Sequence, residues 1–199
     1  MTSEFEQTRR YYDEHAAEFV ARTLDVDIAQ IRAEFLHWIA PGGRILDVGC
    51  GSGRDTLAFK SAGYQVVAID VSDELIAIAT RITGQQVEKR SVQDVDADSV
   101  YDGVWACASL LHLTSEEVKV AFTRLRLALK KAGVLYVSFK LGDYVGIREG
   151  RYFHDLREAR LRELLQGVGG FSEVKVWVTS DKRPEMETQW VNGLFRRML

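Results

Sequence analysis

The stretch RILDVGCGSGRDTLAF, residues Arg44–Phe59, places an apolar run directly before glycines at alternate positions over Gly49–Gly53. The apolar run predicts a buried β-strand over 44–48, and the residues from Arg54 onward predict a helix. Glycines between a strand and a helix let a ligand approach bare backbone, and the start of the helix offers unpaired N–H groups. The stretch therefore predicts a strand–loop–helix unit that holds a nucleotide-like cofactor.

The rest of the chain repeats the alternation of strands and helices after a break at Pro41-Gly42-Gly43. Two helical patterns, over 3–23 and 26–39, precede the break. Further strand patterns lie at 65–69, 87–90, 102–106, 133–139, 172–179 and 188–195. Further helices are predicted from the Ser72 cap to 83, from the Thr114–Glu117 capping box to about Leu129, and over 154–166, with a loop over 141–153 before the last.

This order of elements predicts an α/β fold. Strands that alternate with helices form a parallel sheet covered on both faces, and two consecutive late strands form an antiparallel hairpin at one edge. We predict a Rossmann-like, doubly wound, mostly parallel seven-stranded sheet with an antiparallel edge hairpin. The length of 199 residues is that of one ordinary domain, so we expect a single domain over 1–199.

The composition excludes several classes of function. The net charge of -3 gives no general attraction to nucleic acid or to an anionic membrane. No apolar run approaches the ~20 residues that span a bilayer, and the polar amino terminus does not resemble a signal peptide. The two cysteines, Cys50 and Cys107, form neither a CxxC motif nor a zinc-type cluster with histidine. We therefore expect a cytoplasmic protein without a metal site.

Two acidic residues follow strands at the positions where a nucleotide cofactor needs acceptors. Asp70 ends the second predicted strand, about twenty residues after the glycines, where an acid can accept from ribose hydroxyls. Asp94 follows the third strand and can accept from an adenine amine. The dinucleotide fingerprint GxGxxG fits poorly because the third glycine comes one position early and Arg54 takes its place.

Five segments, taken in order, resemble the motifs of the class I S-adenosylmethionine-dependent methyltransferases. They read ILDVGCGSG, VVAIDVS, SVQDVD, YDGVWACASLLHL and LKKAGVLYVSFK, and they cover most of 44–140. The segments GCGSGRDTLAF, WACASLLHL and LYVSFKLG are most similar to the tellurite-resistance-type and related small-molecule methyltransferases. The resemblance implies S-adenosylmethionine as cofactor, S-adenosylhomocysteine as product, and helices over 1–40 that form a lid on a Rossmann-like core at 41–199.

The resemblance also implies the cofactor contacts. The residues from Asp47 to Gly53 would surround the methionine part and the ribose, Asp70 would hold the ribose hydroxyls, and Cys107 would back the methionine group. Arg54 would pair with the cofactor's carboxylate, or is a solvated residue of the first helical turn. The predicted cofactor-binding residues are Asp47, Gly49, Cys50, Gly51, Arg54, Asp70, Val71, Asp94, Val95 and Cys107.

The candidates for the acceptor side come from elements that should meet above the cofactor. His112 follows the fourth strand and is either a base or substrate ligand or a structural histidine. Tyr11 and His15 share one helical face. In many related enzymes such a helix folds over the cofactor with a tyrosine near the methyl group, so the resemblance implies Tyr11 as the catalytic partner of His112. The predicted substrate residues are Tyr12, His15, Lys140 and Arg151. The two cations suit an anionic or polar acceptor.

We expect an in-line methyl transfer to a small-molecule acceptor by a monomer or homodimer. The alternative is an RNA or protein methyltransferase that uses the basic region 148–162, which otherwise is a solvated helix balanced by acids. The proline-containing motif of methyltransferases that act on planar nitrogens is absent, since the fourth strand is followed by ACAS. A third possibility is a cofactor-binding module that has lost catalysis.

Overall fold

The computed structural model describes residues 3–183 and 186–198 and has a twisted seven-stranded sheet at its centre. Residues 1–2, 184–185 and 199 of the predicted domain lie outside the described residues. The strands are β1 (Arg44–Val48), β2 (Gln65–Asp70), β3 (Glu88–Lys89), β4 (Tyr101–Ala106), β5 (Leu129–Lys140), β6 (Val145–Arg148), β7 (Arg151–His154), β8 (Phe171–Ser180) and β9 (Gln189–Arg197). The helices are α1 (Ser3–Glu14), α2 (Ala16–Thr23), α3 (Ala29–Leu36), α4 (Arg54–Ser61), α5 (Asp73–Thr83), α6 (Ser115–Ala128) and α7 (Glu158–Val168).

The sheet order is β3-β2-β1-β4-β5-β9-β8, with β6 and β7 forming a separate hairpin. The pairings from β3 to β5 are parallel, whereas β9 runs antiparallel between β5 and β8. The predicted mostly parallel α/β sheet with an antiparallel edge hairpin is therefore confirmed. Strands β2 and β3 are added on one side of β1, and β4 and β5 are added on its other side. The strand order therefore reverses between β1 and β4, which is where open α/β sheets bind ligands.

Two helices, α5 and α6, begin at the predicted N-caps Ser72 and Thr114. The Ser72 hydroxyl accepts the Leu75 N–H, and Thr114 forms a reciprocal capping box with Glu117. The helix that Thr114 opens ends at Ala128, so Leu129 begins β5 instead of continuing the helix.

Two further predictions of local structure are wrong. The single helix over 3–23 bends at His15, where the His15 ring bonds the Tyr11 carbonyl at 2.9 Å and separates α1 from α2. The predicted loop over 141–153 contains the β6–β7 hairpin, and the helix expected from 154 begins at Glu158. The hairpin pattern is only four residues per strand, and its pairing depends on α1, since the Tyr152 N–H donates to the Thr8 hydroxyl at 2.9 Å.

Alternate residues of the central strands face two different cores. One core holds Val104 and Leu135 and is covered by α6 and α7. The other core holds Trp105 and Tyr136, whose stacked rings lie 4.0 Å apart, and is covered by α3 and α4. The sheet is therefore buried on both faces, as a doubly wound sheet requires.

The approach of α3 to the sheet depends on Gly103 in β4. A Cβ atom at this position would lie 2.3 Å from the Ile39 Cδ1 atom and 2.6 Å from the Phe35 Cζ atom. Both neighbours are buried core side chains that cannot move into solvent. The segment from Phe35 to Ile39 is thus held close to the sheet beside the start of β1, since Gly103 pairs with Ile45.

We expect Gly103→Ala to lower the free energy of unfolding by about 1–3 kcal/mol, because overpacking forces the core apart. The control is Gly167→Ala in α7, where an added Cβ meets no atom within 4 Å. That change should instead raise the free energy of unfolding by about 0.5–1 kcal/mol, since alanine has the higher helix propensity. Urea unfolding of both variants measures the effects, and an unchanged Gly103→Ala midpoint would contradict the close approach.

Candidate active site

The glycine loop lies at the carboxyl end of β1. Gly49 has a φ of +65°, and a Cβ atom there would lie 2.6 Å from the Ser109 Cβ atom, so glycine fits both the backbone and the space. The N–H groups of Gly49 and Cys50 both donate to the Ile69 carbonyl, at 2.9 and 3.1 Å. The loop is therefore fixed against the end of β2 and presents bare backbone toward the edge of the sheet.

The Asp70 carboxylate holds this loop from the end of β2. One oxygen accepts the Gly51 N–H at 2.9 Å, and the other accepts the N–H groups of Val71 and Ser72 at 2.7 and 3.0 Å. Burial raises the pKa of Asp70 above its ordinary value, although the three N–H donors oppose the shift. Each carboxylate oxygen has more than one acceptor site, so Asp70 can still bind hydroxyl groups beside it.

A small cavity of about 120 Å³ lies beside Asp70 and beneath α1. The Ser109 hydroxyl faces it and is buried without a partner among the described residues. The predicted residues that line this cavity are Gly49, Gly51, Asp70, Val71, Tyr12 and His112.

Asp94 and Val95, which the sequence predicted to bind the cofactor, line neither this cavity nor the larger one described below. The Asp94 side chain is exposed, and Val95 belongs to the apolar core with 2% of its surface exposed. Residues Val92–Asp94 form a short 3-10 turn in which the Asp94 N–H donates to the Ser91 carbonyl. This turn leaves the Asp94 side chain exposed. Ser91 and Val92 line the small cavity instead.

A larger cavity of about 820 Å³ continues from the small one. The two are lined in common by Tyr12, Phe19, Gly49, Gly51, Ala108 and His112. The predicted residues that line only the larger cavity are Asp47, Cys50, Arg54, Cys107, Lys140 and Arg151. The site is therefore one continuous space with a narrow end at Asp70 and a wide end at β5 and the β6–β7 hairpin.

Arg54 belongs to a buried charge network behind the loop. Its guanidinium donates to both oxygens of Asp55, at 3.0 and 2.8 Å, and Asp55 also accepts from Arg32 at 2.9 Å and from the Trp105 indole at 3.0 Å. Burial opposes ionisation of Asp55, but the two arginines outweigh it and lower the pKa of Asp55. The Arg54 side chain is 19% exposed, so the solvated alternative is wrong. No sequence pattern marked Asp55 as part of the site, apart from its position after Arg54.

Asp47 supplies a titratable carboxylate to the wide end. The Thr56 hydroxyl donates to it at 2.6 Å. Burial, reinforced by the nearby Asp55 charge, raises the pKa of Asp47 to about 7. A cationic group that entered beside Asp47 would stabilise its ionised form.

A hydrogen-bonded pair stands where the two cavities meet. The His112 ring bonds the Tyr152 carbonyl through Nδ1 at 2.7 Å and the Tyr12 hydroxyl through Nε2 at 2.8 Å. Since a carbonyl can only accept, Nδ1 carries the proton and the Tyr12 hydroxyl donates to Nε2. Burial lowers the pKa of His112 to about 4 and raises the pKa of Tyr12, so both groups are neutral near pH 7.

Tyr12, and not Tyr11, connects α1 to His112. Tyr11 stacks on His15 with ring centroids 4.3 Å apart and lies under the Arg151 guanidinium at 4.4 Å, but neither Tyr11 nor His15 lines a cavity. The inward face of α1 is formed by Phe5, Thr8 and Tyr12. Both faces of this helix carry helical spacing, so periodicity alone could not choose between them.

The sheet order, the glycine loop and the acid at the end of β2 define a nucleotide-binding α/β protein of the Rossmann-like class. Residues 45–133 match the methyltransferase domain family. This match covers less than half of the chain. Together with the fold and the order of the motifs, it makes the chain similar to the class I S-adenosylmethionine-dependent methyltransferases. The tellurite-resistance-type subgroup stays a prediction.

Individual relatives show the same similarity to methyltransferases. The ubiquinone biosynthesis O-methyltransferase of Xanthomonas campestris is 35% identical over 105 residues, which cover 49% of this chain and 43% of that protein. The magnesium-protoporphyrin O-methyltransferase of Synechocystis is 25% identical over 199 residues, covering 89% and 86% of the two chains. The matches span only 40–46% of the length of the first curated relatives.

The fold is shared with a solved structure along the whole chain. The 1,6-didemethyltoxoflavin-N1-methyltransferase of Burkholderia thailandensis superposes with a TM-score of 0.80 at 22% identity, covering 100% of this chain and 92% of that one. That protein was crystallised with 1,6-didemethyltoxoflavin and S-adenosylhomocysteine. In the described part of this chain, no helix is long and apolar enough to cross a membrane.

The neutral state of His112 predicts a pH dependence of stability. The pKa of about 4 in the folded state lies below the ordinary value of 6.5, so the unfolded chain binds more protons between these values and stability falls as the pH drops through them. When the pH is lowered from about 7 to about 5, the free energy of unfolding of the wild type should fall by about 2 kcal/mol more than that of the His112→Gln variant. Urea unfolding at the two pH values measures this difference, and equal losses would mean that His112 is charged or exposed in the folded state.

Proposed function

We propose that the protein transfers a methyl group from S-adenosylmethionine to a small-molecule acceptor by in-line displacement. The observation that carries the proposal is the space formed by the two adjoining cavities at the carboxyl ends of the strands, with Asp70 lining its narrow end and Asp47 lining its wide end. A cofactor with a nucleoside at one end and a charged amino acid at the other requires such a space, and the wide end leaves room for an acceptor.

The residues of the site fit this cofactor. Asp70 would accept from the ribose hydroxyls, and the unpartnered Ser109 hydroxyl lies beside the loop where only glycine fits. Asp47 would face the amino group of the methionine part. Arg54 would face its carboxylate, with Cys107 beside the guanidinium at 3.9 Å. Val71 would contact the nucleoside. S-adenosylhomocysteine, the product, would keep these contacts.

When bound, S-adenosylmethionine would supply a methyl group attached to a sulfonium sulfur, and that sulfur is the leaving group and departs as a neutral thioether. The chain therefore has to align the acceptor and exclude water, for which the α1 lid and the aromatic lining of the wide end are suited. An acceptor that arrives with a proton also needs a base. The Tyr12 oxygen can accept that proton as its own proton moves to His112 Nε2, because the two are already hydrogen-bonded.

The charges of the predicted basic region favour a small acceptor over RNA or protein. Every arginine of 148–162 pairs with a carboxylate: Arg148 with Asp155, Arg151 with Glu149, Arg157 with Asp143, Arg160 with Glu163 and Arg162 with Glu173. These pairs leave little free positive charge for a polyanion. The relatives named for protoporphyrin and ubiquinone and the toxoflavin enzyme also support a small acceptor.

Calorimetry with S-adenosylhomocysteine and with NAD tests the cofactor assignment. We expect binding of the sulfur ligand and none of NAD. Asp70→Asn should weaken that binding by at least about tenfold, because charge-assisted bonds to the ribose are worth about 1.5–3 kcal/mol each. Asp73→Asn is the matched control, since Asp73 is an exposed acid near the same loop that pairs with Lys89. NAD binding with no response to the sulfur ligand would refute the assignment.

A screen of candidate acceptors with labelled S-adenosylmethionine tests transfer itself. With an acceptor found in this way, His112→Ala should lower kcat by at least about tenfold while the affinity for S-adenosylhomocysteine stays within about twofold. Tyr12→Phe should show the same split if Tyr12 relays the proton. A fall in melting temperature with unchanged kcat would instead assign His112 a structural role. Binding without any transfer would favour the cofactor-binding module.

A further inference from the structure

Lys140 is a cation at the wide end of the site with no carboxylate partner among the described contacts. It ends β5, where its ammonium lies 4.3 Å from the centroid of the Phe153 ring. Burial, together with the neighbouring Arg148 charge, lowers the pKa of Lys140. A half-buried ammonium that gains only a ring contact is poorly compensated for its lost hydration.

Arg151 faces the same space from the β6–β7 hairpin. Its guanidinium lies over the rings of Tyr11 and Phe153, at 4.4 and 5.1 Å. The side chain is only 13% exposed, and its Nε atom is buried without an acceptor in the described part of the chain. Its one carboxylate partner is Glu149 at 3.0 Å, whose side chain is 73% exposed, so water screens this pair.

The charges around the two residues do not balance. Arg148 and Asp155 pair at 3.1 Å, with the Asp155 side chain 7% exposed, and neutralise each other. Arg151 and Glu149 form the screened pair. Lys140 remains as the unbalanced positive charge, so this corner of the cavity lacks one negative charge.

We propose that Lys140 and Arg151 together bind an anionic group, a carboxylate or a phosphate, on an organic acceptor with a flat apolar body. The anionic group would meet the Lys140 ammonium and the Arg151 guanidinium, whose donors suit planar and tetrahedral oxyanions. The body would lie along Tyr12 and Trp190, which are partly exposed and line the same cavity. A volume of about 820 Å³ exceeds what a bare oxyanion would fill. This inference rests on the proposed function, since it names the acceptor of that reaction.

The carboxylate of the cofactor has a separate candidate partner. Arg54 begins α4 directly after the glycine loop, whereas Lys140 ends β5 and Arg151 begins β7. The Tyr12–His112 pair, where the two cavities meet, lies next to the Lys140–Arg151 corner: Arg151 is 5.8 Å from the Tyr12 ring centroid, and the Phe153 ring touches both His112 and the Lys140 ammonium. An acceptor held by its anionic end would therefore have its body directed toward the proton-accepting pair.

The test measures binding of naphthoate, naphthyl phosphate and the neutral naphthamide by calorimetry, with and without S-adenosylhomocysteine. We expect at least one anionic probe to bind about tenfold more tightly than naphthamide. Lys140→Met and Arg151→Met keep the apolar stem and should each remove most of this preference. Lys131→Met, an exposed lysine at the opposite end of β5, is the matched control and should retain it. The comparison of the two anions identifies the anionic group.

The other outcomes overturn either the inference or the proposed function, and they are distinguishable. Equal binding of naphthamide, or an unchanged preference in both Lys140→Met and Arg151→Met, would show that the cations do not recognise an anion. A loss of S-adenosylhomocysteine affinity without loss of anion preference would assign them to the cofactor's carboxylate. Failure of the wild type to bind S-adenosylhomocysteine would refute the proposed function, and the anion preference measured without that ligand would still decide the role of Lys140 and Arg151. Melting temperatures show whether each variant is folded.

Discussion

The Asp70 carboxylate is the contact on which the geometry of the site depends. It ends β2, yet all three of its backbone donors belong to the loops that follow β1 and β2. The carboxylate thereby fixes the Gly51 backbone relative to Ser72, which starts α5. Burial of the carboxylate is unfavourable by itself, so the N–H donors compensate a charge that the fold keeps at the edge of the cavity.

The helix α1 is attached to this edge by specific hydrogen bonds as well as by the packing of Phe5 against the core. Thr8 is the one residue of α1 classed as fully buried. Thr8 binds the Tyr152 N–H, Tyr12 binds His112, and Asp13 accepts the Ser72 hydroxyl at 2.7 Å. Net contributions of about 1 kcal/mol for each such bond make this attachment weak compared with the core of the sheet.

Electrostatic pairing separates the two ends of the space. Behind the loop, the Asp55 carboxylate is shared by Arg32, Arg54 and the Trp105 indole, and its charge is satisfied internally. At the opposite end, the Lys140 ammonium and the Arg151 Nε atom are left without acceptors among the described residues. Unpaired buried polar groups are unfavourable. The region at Lys140 and Arg151 therefore needs acceptors from a ligand, whereas the Asp55 carboxylate needs no donor from one.

The sequence by itself determined the fold, the loop and the acid at the end of β2, because these depend on local patterns: an apolar strand, glycines where a side chain would collide, and helix caps at Ser72 and Thr114. Only the tertiary structure decided which face of α1 points inward, so that Tyr12 and not Tyr11 meets His112. It also turned Asp94 outward and paired the arginines of 148–162 with acids, one of them the distant Glu173. The Tyr12–His112 contact joins residues 100 positions apart, and Arg162–Glu173 joins α7 to β8, so neither periodicity nor composition carries the distances that decide them. Asp94 is turned by a local 3-10 turn that the sequence pattern did not reveal.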